Sequence, residues 1–252
     1  MYNISPKSLI VGKELIYLPT CHSTNLTAHD YLSKSSNEGL VIITANQTAG
    51  KGQRGNNWES EPGSNLTFSI ILYPSFLEVR NQFYLSKIIS LAIIDVLTTK
   101  LGEKIKIKWP NDIYFDDKKL GGILIENILT GHKLKASIIG IGLNVNQTEF
   151  SYQQATSIIN LYNKITSLPE LLTEVLESID KWYSLLSNNN YDLISTQYES
   201  RLLGRNIVRK FKTDRYFEGM IIGVNEQGQL KIKVENETLN FDFKEVEYLH
   251  ET

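Results

Sequence analysis

Apolar residues recur along the chain at two different spacings, and each spacing predicts one kind of secondary structure. Over 79–101 they recur every three or four positions, which predicts a long helix, and Gly102 stands where such a helix commonly ends. The same spacing predicts a helix over 168–186, with Pro169 near its first turn, and another over 191–203. Three helices are therefore predicted from periodicity alone.

Short apolar or alternating runs bounded by turn residues predict strands. Six of them precede the last two helices, at 41–45, 65–73, 104–109, 112–115, 119–129 and 133–145. Four more follow these helices, at 206–211, 216–224, 229–234 and 238–243. The four closely spaced strands predict a small all-β barrel, so we expect a first domain over 1–203 and a second over 204–252.

Composition and charge restrict the class of protein. The 252 residues are 41% hydrophobic and 21% charged, as in ordinary globular proteins. With 26 Lys and Arg against 28 Asp and Glu, the chain has no overall basic field that would hold a nucleic acid. Cys21 is the single cysteine and fits a reducing cytoplasm. Because no apolar run approaches about 18–20 residues, no membrane span is expected.

The stretch 44–58 carries three glycines together with Lys51 and Arg54, and no acidic residue. Glycines let backbone N–H groups turn toward one point, and the two cations add charge-assisted hydrogen bonds, so the stretch favours an anion such as phosphate. A flexible surface loop with two solvated cations is the alternative. No helix follows the glycines and Asn56 stands in place of the P-loop lysine, so dinucleotide and P-loop sites are excluded.

Two charged residues of opposite sign begin neighbouring predicted strands. Asp112 opens one strand and Lys119 opens the next, across the turn 116–118. Strand pairing would bring this acid and this base near one ligand, and the pair Gly121 and Gly122 would leave room for it. The alternative is an ordinary surface ion pair that contributes about 0–1 kcal/mol.

The remaining polar candidates each have an ordinary structural explanation. Ser23, Thr24 and Asn25 precede a short predicted helix and suit its N-terminal cap. Asn144 ends a predicted strand and either contacts a ligand or terminates the strand. The four histidines lack ligand spacing, and neither a cysteine pair nor a nucleophile elbow is present, which argues against a zinc site and a covalent hydrolase.

Taken in order, these segments resemble the biotin protein ligase family. The resemblance extends from about Leu15 to the C-terminus. It is carried by Ser23-Thr24-Asn25, by 47–58, by Lys108-Trp109-Pro110-Asn111-Asp112, by Lys119-Leu120-Gly121-Gly122 and by Gly140-Ile141-Gly142-Leu143-Asn144. It implies an α+β fold, in which a mixed sheet flanked by helices, related to class II synthetases, precedes a small SH3-like β-barrel.

The resemblance also implies an activity. Biotin would react with ATP to form biotinyl-5′-AMP, and the biotinyl group would pass to a lysine of a biotin carboxyl carrier domain. Mg²⁺ would arrive on ATP, and no metal ion is expected to be held by the protein alone. A homodimer is possible, and neither DNA nor a membrane is an expected partner, since only about twenty residues precede Ser23 and these are too few for a DNA-binding winged helix.

Residue by residue, the resemblance implies the following roles. Lys119 would contact carboxylate or phosphate oxygens, and Asp112 would orient the acceptor amine or accept its proton. Lys51 and Arg54 complete the expected catalytic set. The expected biotin-binding residues are Ser23, Thr24, Asn25, Gln47, Gly50, Lys51, Gly52, Gln53, Lys119 and Gly122. The expected nucleotide-binding residues are Lys51, Arg54, Trp58, Asn111, Lys119 and Asn144.

Some features leave other functions open. Gln53 stands where many family members have arginine, so retention of the adenylate should depend more on Lys51 and Arg54. The nearest alternative is a lipoate or octanoate protein ligase, which needs an apolar tunnel instead of a polar pocket. A non-catalytic sensor of biotin or nucleotide is a second alternative. Nucleic-acid binding by the C-terminal domain is a third, but acidic residues dilute its basic ones.

Overall fold

The computed structural model describes residues 2, 4–32 and 37–249, and for Arg54 it describes the backbone alone. The helices are α1 (Thr24–Tyr31), α2 (Phe83–Leu101), α3 (Ile158–Tyr162), α4 (Leu168–Ser187) and α5 (Tyr191–Ser200). The first seven strands are β1 (Leu15–Cys21), β2 (Leu40–Gln47), β3 (Leu66–Leu72), β4 (Ile105–Lys108), β5 (Asp112–Phe115), β6 (Lys118–Thr130) and β7 (Lys133–Leu143). The last five are β8 (Val208–Lys212), β9 (Tyr216–Val224), β10 (Leu230–Val234), β11 (Glu237–Phe241) and β12 (Glu247–Tyr248).

The first seven strands form one mixed sheet in the order β1-β2-β3-β7-β6-β5-β4. β1 and β2 run parallel, and every other neighbouring pair is antiparallel. The sequence expectation of a mixed sheet flanked by helices is therefore confirmed. This order places the start of β6 between β5 and the end of β7, with Lys119 opposite Tyr114 of β5 and Gly121 opposite Leu143 of β7.

The two faces of the sheet are covered unequally. In β2, Val41 and Ile43 pack into the main core with α2 and α4, whereas Leu40 and Ile42 belong to a small cluster with Ala28 of α1. Period-two alternation in a strand produces this division, since successive side chains point to opposite faces. Because α1 has eight residues, it covers only part of its face.

The last five strands form a separate antiparallel sheet in the order β11-β10-β9-β8-β12. Aromatic rings fill its interior, where Phe217 stacks on Phe211 and on Phe241 with centroid distances of 5.6 and 5.8 Å. In the described residues, no pairing joins the end strands β11 and β12. The expected all-β second unit is present, but the barrel is not closed by strand hydrogen bonds.

The two sheets meet near Trp109, whose indole N–H donates to the carbonyl of Gly228 at 2.9 Å. We propose the domain boundary between Leu203 and Gly204. Leu203 N–H bonds back to Ile107 of β4, whereas Asn206 N–H bonds forward to Ile221 of β9. The direction of backbone hydrogen bonding thus changes across this step.

Element ends differ from the sequence prediction where local backbone geometry changes. The helix predicted over 79–101 begins at Phe83, because Val79–Asn81 form a separate 3₁₀ turn. The helix predicted over 191–203 ends at Ser200. β1 was missed because it is a half-exposed edge strand that contains Pro19, and such strands have no clear apolar alternation. Among the described residues, no helix is long and apolar enough to cross a membrane.

Lys87 of α2 is a buried cation with 2% of its surface exposed. Its Nζ donates to Ser195 Oγ at 3.0 Å and lies 4.4 Å from the ring centroid of Tyr84. Burial lowers the pKa of Lys87 to about 8, and Glu199 and Glu226 partly oppose this shift. The lowered pKa means that the charged form of Lys87 destabilises the folded state.

We expect Lys87→Met to flatten the pH dependence of stability. Between pH 8 and 10.5 the folded protein has lost this proton while the unfolded chain keeps it, so the wild-type free energy of unfolding rises with pH. From pH 7 to pH 10.5 the wild type should gain about 3 kcal/mol relative to Lys87→Met in urea unfolding. Lys100→Met, on the exposed side of the same helix, is the control. Because it keeps Lys87, its free energy of unfolding should rise with pH as in the wild type. Parallel profiles for wild type and Lys87→Met would contradict the expectation.

Candidate active site

A cavity opens on the face of the first sheet that α1 covers only in part. Its lining collects most of the polar residues that the sequence analysis selected. These are Ser23, Thr24, Asn25, Gln47, Lys51, Gly52, Gln53, Trp58, Asn111, Asp112, Lys119 and Gly122. Residues more than 90 positions apart in the chain thus surround one space.

The floor of the cavity is made of glycines on neighbouring strands. Gly122 of β6 lies opposite Gly142 of β7, and Leu124 lies opposite Gly140. A Cβ atom at Gly142 would overlap the indole of Trp58, and one at Gly140 would overlap the amide of Asn25. The glycines therefore let flat polar and aromatic groups lie directly on the sheet backbone.

The start of α1 contributes polar groups to the cavity instead of capping the helix. Ser23 occupies the N-cap position, but its side chain makes no capping hydrogen bond. The backbone N–H of Thr24 donates to Gln47 Oε1 at 2.7 Å, which leaves the Nε2 group of Gln47 to face other partners. The cap explanation is thus wrong for the Ser23 side chain, and the buried side chains of Thr24 and Asn25 lie at the cavity instead.

The glycine-rich stretch folds back on itself as a hairpin. Gly52 N–H donates to Asn56 O at 2.7 Å, and Trp58 N–H donates to Gly50 O at 3.0 Å. These N–H groups are therefore not free to bind an anion, contrary to the simplest expectation from the glycines. Gly50 does not line the cavity but packs against Trp58 and Gln47, and the Arg54 side chain lies outside the described part of the chain.

Asp112 and Lys119 form an ion pair at the edge of the cavity. Lys119 Nζ lies 2.7 Å from Asp112 Oδ1, and about a quarter of each side chain is exposed. The backbone of Lys119 is held by the segment 154–156, since Lys119 N–H donates to Gln154 O at 2.7 Å and Thr156 N–H donates to Lys119 O at 2.9 Å. The pair is thus partly buried and anchored on both sides, unlike a mobile surface pair.

A second cation, Lys108, lies near this pair. Its Nζ is 3.3 Å from the hydroxyl of Tyr114 and 4.7 Å from the centroid of that ring. Burial lowers the pKa of Lys108, Asp112 raises it, and Lys119 lowers it further. Lys108, Lys119 and Asp112 also line an open cavity that reaches Tyr248 in the C-terminal sheet.

The two asparagines expected at the nucleotide lie in different places. Asn111 lines the first cavity, and its Nδ2 donates to Ile123 O at 2.5 Å. Asn144 does not line this cavity but a neighbouring one that also contains Trp58, Asp112 and Lys119. Its Nδ2 donates to Thr156 O at 3.0 Å, and its Oδ1 has no partner within the described chain.

The cavity has residues that sequence analysis did not select. Thr67 lines it, and Ser69, two residues along β3, bonds to Asn25 within the protein. Both are buried polar residues in an otherwise apolar strand, 6% and 0% exposed, and they alternate with apolar neighbours. That alternation was visible in the sequence but was interpreted only as evidence for a strand.

The arrangement favours one kind of chemistry. Lys51 and Lys119 can stabilise negative charge, while hydroxyl and amide groups can bind a polar neutral ligand. Asp112 is the single carboxylate among the lining residues, and it is paired with Lys119. Within the described ranges, no cluster of three or more His, Cys, Asp or Glu could hold a metal ion. Such a site suits the activation of an acid by positioning and charge neutralisation.

Known proteins share this fold and these segments. The model of the biotin/lipoate A/B protein ligase family matches residues 17–144. The bifunctional ligase/repressor BirA of Bacillus spizizenii is 28% identical over 235 residues, covering 91% of this chain and 72% of that protein. The biotin–acetyl-CoA-carboxylase ligase of Mycobacterium tuberculosis is 27% identical over 232 residues, covering 86% and 83%. The structure of the Aquifex aeolicus biotin protein ligase with biotin and ATP superposes with a TM-score of 0.79 at 28% identity, covering 94% and 100%.

Proposed function

Because the chain belongs to the biotin/lipoate A/B protein ligase family, we infer that it is an ATP-dependent biotin protein ligase. Its substrates are biotin and ATP, and its acceptors are carrier domains of biotin-dependent carboxylases. One observation carries this conclusion: a single cavity combines uncharged polar groups around Asn25 with the cations Lys51 and Lys119. Biotin has matching parts, namely a urea ring and a carboxylate.

In the first half-reaction, a biotin carboxylate oxygen attacks the α-phosphorus of ATP. The new bond is an acyl–phosphate bond, and the bond between the α-phosphorus and the bridging oxygen breaks, so that pyrophosphate leaves. Two anions must meet, and Lys119 and Lys51 reduce their repulsion where charge develops. Mg²⁺ bound to the ATP phosphates supplies further charge neutralisation, which fits a cavity whose one carboxylate is already paired.

In the second half-reaction, the acceptor lysine amine attacks the acyl carbon, AMP leaves, and an amide forms. Asp112 Oδ1 is paired with Lys119, which leaves Oδ2 to orient the incoming amine and accept its proton. No covalent intermediate with the enzyme is needed. Asp112 and Lys119 would thus act in succession, with Lys119 at the adenylate and Asp112 at the amine.

We place the nucleotide where the first cavity joins its neighbours. Trp58, Lys119 and Asn111 lie at this junction, and Asn144, whose buried Oδ1 has no hydrogen-bond partner in the described chain, lines the neighbouring cavity. Arg54 follows Gln53 in the hairpin that borders the junction. That retention of the adenylate depends more on Lys51 and Arg54 than on Gln53 is part of this proposal, as is a cytoplasmic location.

The alternative within the family is a lipoate ligase. The dithiolane ring of lipoate has neither N–H nor C=O groups, so it could not pair with the lining polar groups that Gln47 Nε2 and the Ser23 hydroxyl present to the cavity. We expect biotin-dependent exchange of radiolabelled pyrophosphate into ATP, and exchange with lipoate should be at least about 100-fold slower. Faster exchange with lipoate than with biotin would overturn the assignment.

A further inference from the structure

Asn25 is held by protein groups at both ends of its amide, although it lies at the cavity. It is 3% exposed, and its Oδ1 lies 2.6 Å from Ser69 Oγ. Its Nδ2 lies 2.7 Å from Glu126 Oε2. Because Gly140 has no Cβ, the amide rests directly on β7. Its contacts thus continue beyond the cavity to Glu126, which does not line it.

The carboxylate of Glu126, 2.7 Å from Nδ2, is the main group that determines which way this amide points, and the carbonyl of Leu124, 3.5 Å from the same nitrogen, adds a weaker contact. A carboxylate only accepts hydrogen bonds, so the NH₂ group of Asn25 must face Glu126 and the carbonyl oxygen must face Ser69. The single hydroxyl proton of Ser69 is then donated to Asn25 Oδ1. Glu126 therefore sets the direction of a hydrogen bond that it does not itself make.

The same constraint passes from Ser69 to Thr24. Ser69 Oγ lies 2.7 Å from Thr24 Oγ1, and since Ser69 has no second proton, Thr24 is the donor in this contact. Thr24 Oγ1 also lies 3.2 Å from Gln47 Oε1, but this contact is longer and Oε1 already accepts from Thr24 N–H, so the hydroxyl proton stays within the protein. Thr24 Oγ1 then has only lone pairs left for the cavity. Gln47, whose Oε1 already accepts from Thr24 N–H, has only its NH₂ group left. The cavity thus combines an acceptor at Thr24 with a donor at Gln47.

This combination matches a urea, which has N–H donors and one carbonyl acceptor. We propose that Glu126 is a positioning residue for biotin: through Asn25 and Ser69 it orients the hydroxyl of Thr24 so that an acceptor faces a urea N–H. Without the carboxylate, the amide of Asn25 can turn over and Ser69 can donate to Thr24. The proton of Thr24 is then released from Ser69 and divides between Gln47 Oε1, 3.2 Å away, and the ligand, so the acceptor that faces the urea N–H is no longer fixed. The inference rests on the proposed function, because it takes the urea ring of biotin as the ligand.

The second neighbour of Glu126 provides a control. His29 Nε2 lies 3.9 Å from Glu126 Oε2 on the exposed side, and in the described chain it makes no hydrogen bond with Ser69 or Thr24. Replacing His29 therefore removes the other partner of the carboxylate and leaves the route through Asn25 intact. A general effect of altering this part of β6 would appear in both variants.

The test measures biotin binding by calorimetry without ATP, together with steady-state exchange kinetics. Glu126→Ala should weaken biotin binding at least about 10-fold, while kcat at saturating biotin and KM for ATP stay within about 3-fold of wild type. Glu126→Gln can present either its oxygen or its NH₂ group to Asn25, so it should recover only part of the affinity lost in Glu126→Ala. His29→Ala should bind like wild type. Desthiobiotin keeps the urea ring, so Glu126→Ala should lower its binding affinity by the same factor as it lowers the affinity for biotin.

Ser69→Ala is an independent test, because it removes the next side chain in the series of hydrogen bonds from Glu126 through Asn25 and Ser69 to Thr24. It should also raise the Kd for biotin, and the double variant Ser69→Ala/Glu126→Ala should lose less than the product of the two single factors, because both act through Asn25. Wild-type affinity in Glu126→Ala, equal losses in Glu126→Ala and His29→Ala, or fully multiplicative losses would overturn the proposal. Absence of biotin-dependent exchange in wild type would instead overturn the proposed function.

Discussion

Lys119→Ala is expected to lower the rate of biotin-dependent pyrophosphate exchange by about 10²–10³-fold, because it removes a fixed cation from the point where the carboxylate meets the phosphate. The ammonium group is held 2.7 Å from Asp112, and its backbone is anchored by 154–156, so water or a neighbouring side chain cannot replace its charge in the same position. Binding of biotin, which depends on the urea ring, should weaken far less than the exchange rate.

The matched control is Lys118→Ala. Lys118 is the adjacent residue on β6, but it is exposed and lines none of the cavities described above. It should retain wild-type exchange within about 2-fold, a change no larger than is typical for a surface site. If Lys119→Ala kept most of its exchange activity, this cation would not take part in adenylate formation, and a sensor that binds biotin would become the better explanation.

Asp112→Asn should mainly slow the second half-reaction. Asparagine keeps the size of the side chain and one oxygen, but it cannot accept the proton of the acceptor amine, which lowers rates by about 10²–10⁴-fold in general base catalysis. Adenylate formation should continue within about 10-fold of wild type. The measurement is single turnover: adenylate is formed first, a carrier domain is added, and the intact mass of the carrier is followed over time.

Asp116→Asn is the control for Asp112→Asn. Asp116 lies in the turn of the same hairpin and pairs with Lys104 at 3.0 Å, away from the cavity. Transfer should be unchanged in this variant. If Asp112→Asn slowed adenylate formation and left transfer unaffected, the carboxylate would act only by holding Lys119, and its assignment to the acceptor amine would be wrong.

Most of the fold could be predicted from the sequence, since it depends on periodic apolar patterns. The long strands β6 and β7 and the helices α2 and α4 have such patterns, and all four were found close to their observed ends. β1 and α3 were not, because β1 is a half-exposed edge strand and α3 has only five residues. The apolar pattern also could not predict that the C-terminal sheet stays open. Such a pattern shows where strands occur but not whether the two end strands of a sheet pair with each other.

The candidate site was predictable only where motifs place polar residues together. The resemblance selected Thr24, Gln47 and Lys119, which the structure brings to one cavity. It did not select Ser69 or Glu126, because their importance comes from contacts with Asn25 across the sheet, which no local motif records. The hairpin bonds of Gly52 and Trp58 were missed for a related reason, since a glycine-rich sequence fixes neither the fold of its loop nor the partners of its N–H groups.

The central claim is that one cavity activates biotin with ATP for transfer to a carrier lysine. It is tested most directly by the intact mass of a carrier domain incubated with the wild-type protein, biotin and Mg-ATP, which is the reference arm of the transfer experiment above. We predict a gain of one biotinyl group per carrier that requires ATP and disappears when the acceptor lysine is replaced by arginine. A carrier whose mass stays unchanged in this incubation would contradict the account.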